Sequence, residues 1–544
     1  MKFDTLILGG GFAGVYCAKR LARELGPQKA RGIGLIAEQN VMVFQPMLAE
    51  VAGAALSPLD VVNPIREFCR DVNVLMGKVV SIDIVKKNVV LDAGMYTPNT
   101  TVEFDQLVLA LGGVVDLSRV PGMPEHAFIL KNVGDALGIR EAVIRRLEEA
   151  NLVESLETKK RLLTFVVVGG GYSGVETAGQ ILDLLADVKS LYRNISDTSS
   201  RVLLIHSGEH LLPDIGPELG HYAERKLKKR GLEVMLNARV TAITSCAVFL
   251  QGGVMIDSNM VVSTVGNAPH PLLVKFCAEN RIENVKGRIV TEPTMQVKGF
   301  PNLWAIGDCA AVPMGGQPTC PPTAQFALRQ GEQLGSNLAR LRSGEPLKPF
   351  YFRNLGQLAS IGHHTAVADV MGIKFSGFPA WWFWRTVYLW KLPGVQRKLR
   401  VMADWTMELM FRRDISHIGA GPSQVVPTIH LEPGDTLFRA GEPALSFYVI
   451  KFGRIELLDD AKVEETLQQG EHFGEWALLN DSHWRYTARA ATATTLIAVS
   501  RETFRTFTNA STAFRSLMAE TSRRFAPVEP KEFQSTGGNS EGSD

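Results

Sequence analysis

Cysteine is scarce in this chain of 544 residues: six in all, Cys17, Cys69, Cys246, Cys277, Cys309 and Cys320, with no two in a Cys-x-x-Cys pair. That excludes a disulfide-stapled scaffold and a flavin reductase working through a paired dithiol. No apolar run reaches the length of about 18 residues that a membrane-spanning helix requires. Charge of one sign is missing too. Against 58 basic residues stand 56 acidic ones, a net charge of +2, so no global basic field points to nucleic acid. No grouping of His, Cys, Asp and Glu suggests a metal site. The first apolar strand begins at Phe3, which leaves no room before it for a signal or transit peptide. The expectation is a protein that starts and stays in a reducing cytoplasm. Forty-five per cent apolar and 21 per cent charged residues are ordinary globular composition, and the length suits about three domains.

What is present is a repeated glycine pattern. Leu6-Ile7-Leu8-Gly9-Gly10-Gly11-Phe12-Ala13-Gly14 follows an apolar strand near the start of the chain. Val166-Val167-Val168-Gly169-Gly170-Gly171-Tyr172-Ser173-Gly174-Val175-Glu176 repeats it 160 residues later. Gly9, Gly11 and Gly14, and again Gly169, Gly171 and Gly174, carry the G-x-G-x-x-G spacing. The first glycine allows the tight turn, the second lets the backbone approach a pyrophosphate, and the third packs helix on strand. Phosphates then sit at a helix N-terminus, where free N–H groups and the helix dipole favour negative charge. Two copies imply two dinucleotide-binding halves in one enzyme.

In the first half a helix over Val15 to Leu25 leads to a strand over Ile33 to Ala37 and then Glu38, placed to bind an adenosine ribose hydroxyl. Phe104 to Leu111 runs into the small-residue turn Gly112-Gly113. In the second half the strand Arg201 to Ile205 ends at His206-Ser207, with no carboxylate at the ribose position. Its exit strand, Met260 to Val265, is followed by Gly266. The chain then returns through Asn302 to Ala310, which holds Asp308, and through a helix beginning near Ala324-Gln325.

These residues resemble the type II NADH:quinone oxidoreductases. The resemblance rests on the two fingerprints, the Leu-Ala-Leu-Gly turn, Gly307-Asp308-Cys309-Ala310, and the Ala-Gln-x-Ala-x-Arg-Gln helix, in this order. Phe44-Gln45-Pro46-Met47-Leu48 and Phe383-Trp384-Arg385 also fit, and the match covers roughly residues 1 to 418. It implies FAD in the first half, held by Gly9, Gly10, Gly11, Phe12, Ala13, Gly14, Glu38, Gln39, Val79, Ala110, Gly112, Asp308, Ala324 and Gln325. NADH or NADPH is expected in the second, at Gly169, Gly171, Gly174, Glu176, His206 and Gly266. Glu176 is expected at the nicotinamide–flavin junction as a hydride-transfer or placement residue. Gln325 is expected at the quinone face, where its amide can hydrogen-bond a carbonyl. The family pattern has Glu where this chain has His206. Loss of that repelling charge, with a neutral-to-cationic His206-Ser207 pair, implies relaxed preference toward NADPH. Two competitors are sulfide:quinone reductase, for which Cys309 is the nearest candidate thiol, and a cyclic-nucleotide sensor whose flavin half reports redox state.

The segment from about Phe375 to Arg413 holds five of the eight tryptophans: Trp381, Trp382, Trp384, Trp390 and Trp405. Seven basic residues accompany them: Arg385, Lys391, Arg397, Lys398, Arg400, Arg412 and Arg413. Pro393-Gly394 divides it into two helices. In the second, Val395, Leu399, Met402, Trp405 and Leu409 are expected on one face. Aromatic and basic borders on amphipathic helices suit a bilayer interface, so the segment is expected to attach the protein, without spanning, to the cytoplasmic face of a bacterial cell membrane. Trp381, Trp384 and Trp405 are the expected anchors; burial in a homodimer interface is the alternative.

Beyond Gly419-Ala420-Gly421-Pro422 the rhythm changes to short strands. Residues 424–520 resemble the cyclic nucleotide-binding domain, a β-roll, with Gly470-Glu471-His472-Phe473-Gly474-Glu475 as its cassette. Gly474 and Glu475 match the family motif; Trp484 stands where the phosphate-binding Arg belongs, and Arg485 falls one residue late. If this stretch is a strand, the shift turns Arg485 to the wrong face. Weak cyclic nucleotide binding, or docking of a partner instead, is the expectation. Residues 527–544, rich in Gly, Ser, Glu and Pro, are expected to be disordered. The whole is an α/β chain. It is divided into a first FAD-binding part (1–115), a connector (116–161), an NAD(P)H-binding domain (162–269), a second FAD-binding part (270–340), a membrane-associating segment (341–418) and the β-roll (424–520).

Overall fold

The opening strand Lys2–Leu8 is buried at Phe3 and from Thr5 to Leu8, a near-continuous apolar run of the kind that only a strand covered on both faces carries. In the computed structural model it pairs in parallel with Ile33–Ala37 on one side and Thr100–Leu109 on the other. The sheet runs Asn73–Met76, Ile33–Ala37, Lys2–Leu8, Thr100–Leu109, Asn88–Asp92, Lys78–Asp83, and Leu303–Ala305 adds to Thr100–Leu109 in parallel. The returning chain thus completes the first sheet. The described residues are 1–94, 97, 99–195, 198–315, 319–353, 356–416, 428–431, 433–444, 446–459, 462–480 and 483–522. The expected disordered tail and the Gly419–Pro422 boundary fall outside them.

The second fingerprint strand, Thr164–Val168, is buried throughout. It lies at the centre of an all-parallel sheet ordered Ala127–Ile129, Met260–Ser263, Thr164–Val168, Arg201–Ile205, Leu232–Met235. Residues 116–161, expected only to connect, therefore supply an edge strand, and also the helix Val133–Leu152 capped by Asn132. In each sheet the glycine turn follows the central strand, where neighbouring strands depart to either side and ligands of such folds bind.

Each fingerprint helix starts straight from its glycine turn: Phe12–Ala30, broken by Gly26 and Pro27, and Tyr172–Val188. The helix Ala324–Arg342 packs so closely on the first of these that a Cβ on Gly331 would stand 2.3 Å from the Ala13 carbonyl oxygen. That contact, with the Gln330 side chain accepting from the Gly307 amide at 2.7 Å, holds Ala324 and Gln325 over the first glycine turn.

Residues 341–418 begin differently from expectation. A three-stranded antiparallel sheet, Gly356–Ser360, Ala366–Val370 and Ile373–Gly377, comes first, and only then the helices Phe378–Lys391 and Val395–Met410. Tight turns at Gly362-His363-His364 and Met371-Gly372, all at positive φ, close the hairpins. Among the described residues no helix is long and apolar enough to cross a membrane.

The chain divides into two compact units, Met1–Gly419 and Ala420–Asp544. The second has two four-stranded antiparallel sheets, one ordered Thr428–Leu431, Thr494–Ser500, Ser446–Phe452, His472–Phe473, the other Thr436–Phe438, Thr487–Ala490, Arg454–Asp459, Lys462–Gln468. Two helices, Arg501–Ala510 and Thr512–Ser522, follow.

Candidate active site

The first glycine turn is built by contact distances. The Gly9 amide donates to the Ile36 carbonyl at 2.8 Å, and Gly9 has φ +121°, with a Cβ there only 2.2 Å from the Ala110 oxygen. A Cβ on Gly14 would fall 2.0 Å from the Gly9 oxygen, whereas one on Gly11 would meet nothing within 4 Å. Gly9 and Gly14 are therefore glycines because backbone packs there, and Gly11 because something else must fit. The second turn repeats this: Gly169 at φ +116°, Gly174 blocked at 1.7 Å by the Gly169 oxygen, Gly171 open.

Gly11 faces a cavity of about 350 Å³. Its lining includes Gly9, Gly10, Phe12, Ala13, Glu38, Gln39, Val79, Ala110, Gly112, Asp308 and Ala324, so twelve of the fourteen residues expected around a flavin dinucleotide border one space. Gly14 packs behind the turn, and Gln325 stands next to Ala324, donating to the Gly356 carbonyl at 3.3 Å. Lys131, Asn132 and His270 also border the cavity and had no motif to announce them. Burial raises the Asp308 carboxyl, with Lys131 and Arg288 pulling it back. A glycine opening, an acidic residue at the end of the second strand and a lined cavity suit FAD.

Gln325 and the second fingerprint meet through the three-stranded sheet. Gly356 accepts from Gln325, the neighbouring Gln357 accepts from the Tyr172 hydroxyl at 2.7 Å, and Ser360 donates its amide to Glu176 Oε1 at 3.0 Å. Burial pushes the Glu176 carboxyl up to about 8, opposed by the Ser360 amide and reinforced by Glu50. Glu50 is 4% exposed and receives the Trp405 indole N–H at 3.3 Å. A single carboxylate in the apolar run Leu48-Ala49-Glu50-Val51-Ala52 is a signal the motif reading passed over.

His206 departs from expectation. Its Nδ1 accepts the Gly170 amide at 3.1 Å, and burial, then His210, lowers its basicity. An imidazole fixed as an acceptor is neutral, so of the neutral-to-cationic expectation for the His206-Ser207 pair the neutral end stands and the cationic end is corrected. Gly266, at φ +95°, abuts the Asp116 carbonyl in the crossing between the two sheets.

The tryptophans are corrected as well. Trp381, Trp384 and Trp405 are 8%, 1% and 6% exposed and belong to the core, whereas Trp382 and Trp390 are exposed together with Phe378, Val395, Leu399, Met402 and Leu409. Trp405 turns inward from the face it was expected to share, because its indole N–H finds the Glu50 carboxylate. Cys309 is buried, its thiol pushed up to about 12 by burial and set against the Leu109 and Ile306 carbonyls. Such a thiol is a poor nucleophile, which disfavours sulfur chemistry.

In the second unit Trp484 and Arg485 precede the strand Thr487–Ala490, so the strand-face argument does not apply. Trp484 stacks on Phe438 with ring centroids 3.8 Å apart. Gly474, Trp484 and Arg485 line a cavity of only about 40 Å³. Glu475 is fully buried, 3.3 Å from His472, and the Arg485 guanidinium lies over the Tyr486 ring.

Comparison with known proteins agrees with this geometry. The pyridine nucleotide-disulphide oxidoreductase family model matches residues 3–331, the NDH2 C-terminal domain 354–414 and the cyclic nucleotide-binding domain 428–511. The type II NADH:quinone oxidoreductase Ndh of Mycobacterium tuberculosis is 32% identical over 424 residues, covering 76% of this chain and 89% of that protein. The Staphylococcus aureus type II NADH:quinone oxidoreductase is 30% identical, covering 69% and 91%. The fold is shared with Plasmodium falciparum NDH2 in complex with NADH (TM-score 0.70, 20% identity, covering 76% and 99%). It is also shared with the sulfide:quinone oxidoreductase of Aquifex aeolicus (TM-score 0.56, 19% identity, covering 78% and 100%). The chain belongs to the type II NADH:quinone oxidoreductases, within the pyridine nucleotide-disulphide oxidoreductase family, and carries a cyclic nucleotide-binding domain after the oxidoreductase unit in sequence.

Proposed function

We propose that the protein oxidises NADH, and more slowly NADPH, and reduces a membrane quinone through FAD held at the first glycine turn. One observation carries this reading: the contact chain from Ala324 on the first cavity, through Gln325, Gly356 and Gln357, to Tyr172 on the second fingerprint helix. It supports a reading in which the two dinucleotide sites and the Gln325 amide meet. FAD, when bound, would supply two-electron redox chemistry between the nicotinamide and the quinone. The chain positions the partners. Gly11 and Gly171 admit the pyrophosphates, Glu38 takes the adenosine ribose hydroxyls, and Glu176 places the nicotinamide. Gln325 orients a quinone carbonyl.

Quinones are lipid-soluble, and the exposed Phe378, Trp382, Trp390, Val395 and Leu399 beside Lys398 and Arg400 suit shallow insertion at a bilayer surface. The reading places the protein peripherally on the cytoplasmic face of a bacterial membrane. Replacing Trp382 and Trp390 by Ala should weaken liposome binding, and alkaline carbonate should release the intact protein. The test of activity is flavin bleaching by NADH and by NADPH, then reoxidation by a soluble quinone. Bleached flavin that no quinone reoxidises would overturn the assignment, and sulfide-dependent quinone reduction would install the competitor.

A further inference from the structure

The second sheet carries a cavity at the end away from its glycine turn. Its volume is about 800 Å³, within the range of about 300–1,000 Å³ that small-molecule sites occupy. Thr164, Arg201 and Leu232 on its wall open three neighbouring strands. The strand Thr164–Val168 runs from this wall to Gly169, a span of roughly 13 Å at about 3.3 Å per residue. The cavity is therefore separate from the dinucleotide site. Leu203 and Ile256 on its wall belong to the apolar core, whereas the neighbouring Val254 and Met255 are exposed. Among the described residues no aromatic side chain lines it. Its cations are unequally matched. Arg201 holds Glu233 through two bonds of 2.8 Å, and Lys228 holds Glu224 at 2.7 Å. Lys160 and Arg161 stand in the last turn of the helix Leu156–Leu162. Among the described residues neither side chain has an ion pair, and the Arg161 Nε is buried without an acceptor. Glu157 and Asp257 also border the cavity, both exposed to water.

We propose that this cavity binds a free fatty acid, its carboxylate on Arg161 and Lys160 and its aliphatic chain against Leu203, Val254 and Met255. The site is distinct from the quinone-reductase machinery and does not depend on that reading. A buried N–H without an acceptor is costly to leave unmade, and a guanidinium offers a carboxylate two parallel donors. The exposed Val254-Met255 pair supplies apolar surface that an aliphatic chain would remove from water. One amphipathic anion meets both needs. The acidic residues limit its charge. Glu157, Glu233 and Asp257 around one cavity oppose a dianionic phosphate more than a single carboxylate. The wall also disfavours a nucleotide, because a base would find no aromatic ring to stack on. Water serves Glu157 and Asp257 where they stand, so neither calls for a cationic ligand, whereas the Arg161 Nε lies out of reach of bulk water.

Calorimetry of the full-length holoenzyme with dodecanoate at pH 8 tests the site. Dodecanoate should bind. Dodecanol, which keeps the chain without the charge, should bind at least about tenfold more weakly, and acetate, which keeps the charge without the chain, should give no signal. Arg161→Glu should weaken dodecanoate by about 10- to 100-fold, the loss of a charge-assisted contact, and Met255→Asp should weaken it as well. Circular dichroism of both variants should match wild type. Dodecanoate adsorbed on the exposed aromatic surface around Trp382 and Trp390 would persist in both variants, which separates it from the cavity. Affinity unchanged in both variants would overturn the proposal. So would dodecanol that binds as tightly as dodecanoate, which would leave an apolar groove without charge recognition. AMP or dodecyl phosphate binding more tightly than dodecanoate, and losing that affinity in Arg161→Glu, would overturn the ligand class. If Arg161→Glu does not fold, Arg161→Gln decides by the same titration: wild-type affinity for dodecanoate rejects the proposal.

Discussion

Replacing Glu50 by Gln should make the protein more stable, by an amount that depends on pH. Glu50 is 4% exposed, and burial raises its carboxyl from 4.5 to about 7. Below about pH 4 the group is protonated folded and unfolded alike, and it has no differential effect. As pH rises past 4.5 the unfolded chain releases this proton while the folded protein keeps it, so folding binds a proton and stability falls with pH. Above about 7 the folded carboxylate is also ionised and the loss levels off. The raised value spans roughly 2.5 pH units, worth about 3 kcal/mol at about 1.4 kcal/mol per unit. Gln is the shape of the protonated acid and its carbonyl can still accept the Trp405 N–H, so the variant escapes this loss. Urea unfolding of wild type and Glu50→Gln at pH 4.5, 6 and 8, followed by tryptophan fluorescence, gives the difference directly, because other titrating groups cancel. The difference should grow from near zero to about 3 kcal/mol in favour of Gln. A constant difference, or one that favours wild type at pH 8, would refute the claim that Glu50 is a desolvated acid.

Gly11→Val should give folded, colourless protein, while Gly171→Val should stay yellow but resist bleaching by NADH, since both side chains would enter open space at different turns; absorbance at the flavin maximum reads both. Arg413→Met removes a cation bonded to the Gly53 carbonyl, Gln180 and Glu408 and should cost about 1–3 kcal/mol, because the Gly53 carbonyl and Gln180 lose their donor while Glu408 keeps only Arg385, measured by denaturant unfolding. His206→Glu should raise the NADH-over-NADPH ratio of kcat/KM roughly tenfold, the effect of about 1.4 kcal/mol of charge repulsion at the ribose; an unchanged ratio means that the ribose lies elsewhere. Calorimetry of the full chain with cAMP and cGMP should show no binding, because a cavity of about 40 Å³ closed by the Trp484–Phe438 stack is far below the roughly 300 Å³ of a ligand pocket. Micromolar binding abolished by Arg485→Ala would show that the stack opens.

Both glycine turns, the strands before them and the order of the two dinucleotide halves were legible in the sequence, because each of those constraints is local. A backbone passing 2.0 Å from where a Cβ would stand admits only glycine, and a strand covered on both faces admits only apolar side chains. The division of the aromatic segment at Pro393-Gly394 was legible for the same reason. The facing of its tryptophans was not. Helical spacing says which residues share a side but not what that side meets, and here the Glu50 carboxylate drew the Trp405 indole into the core. His206 likewise kept its place at the strand end, yet its charge was set by the Gly170 amide 36 residues away. The three-stranded sheet that joins Gln325 to Tyr172 and Glu176 appears in no motif. Glu50 comes from a part of the chain hundreds of residues away from Ser360 and Arg413. Desolvation and charge compensation are sums over neighbours, and only the tertiary structure determines who the neighbours are.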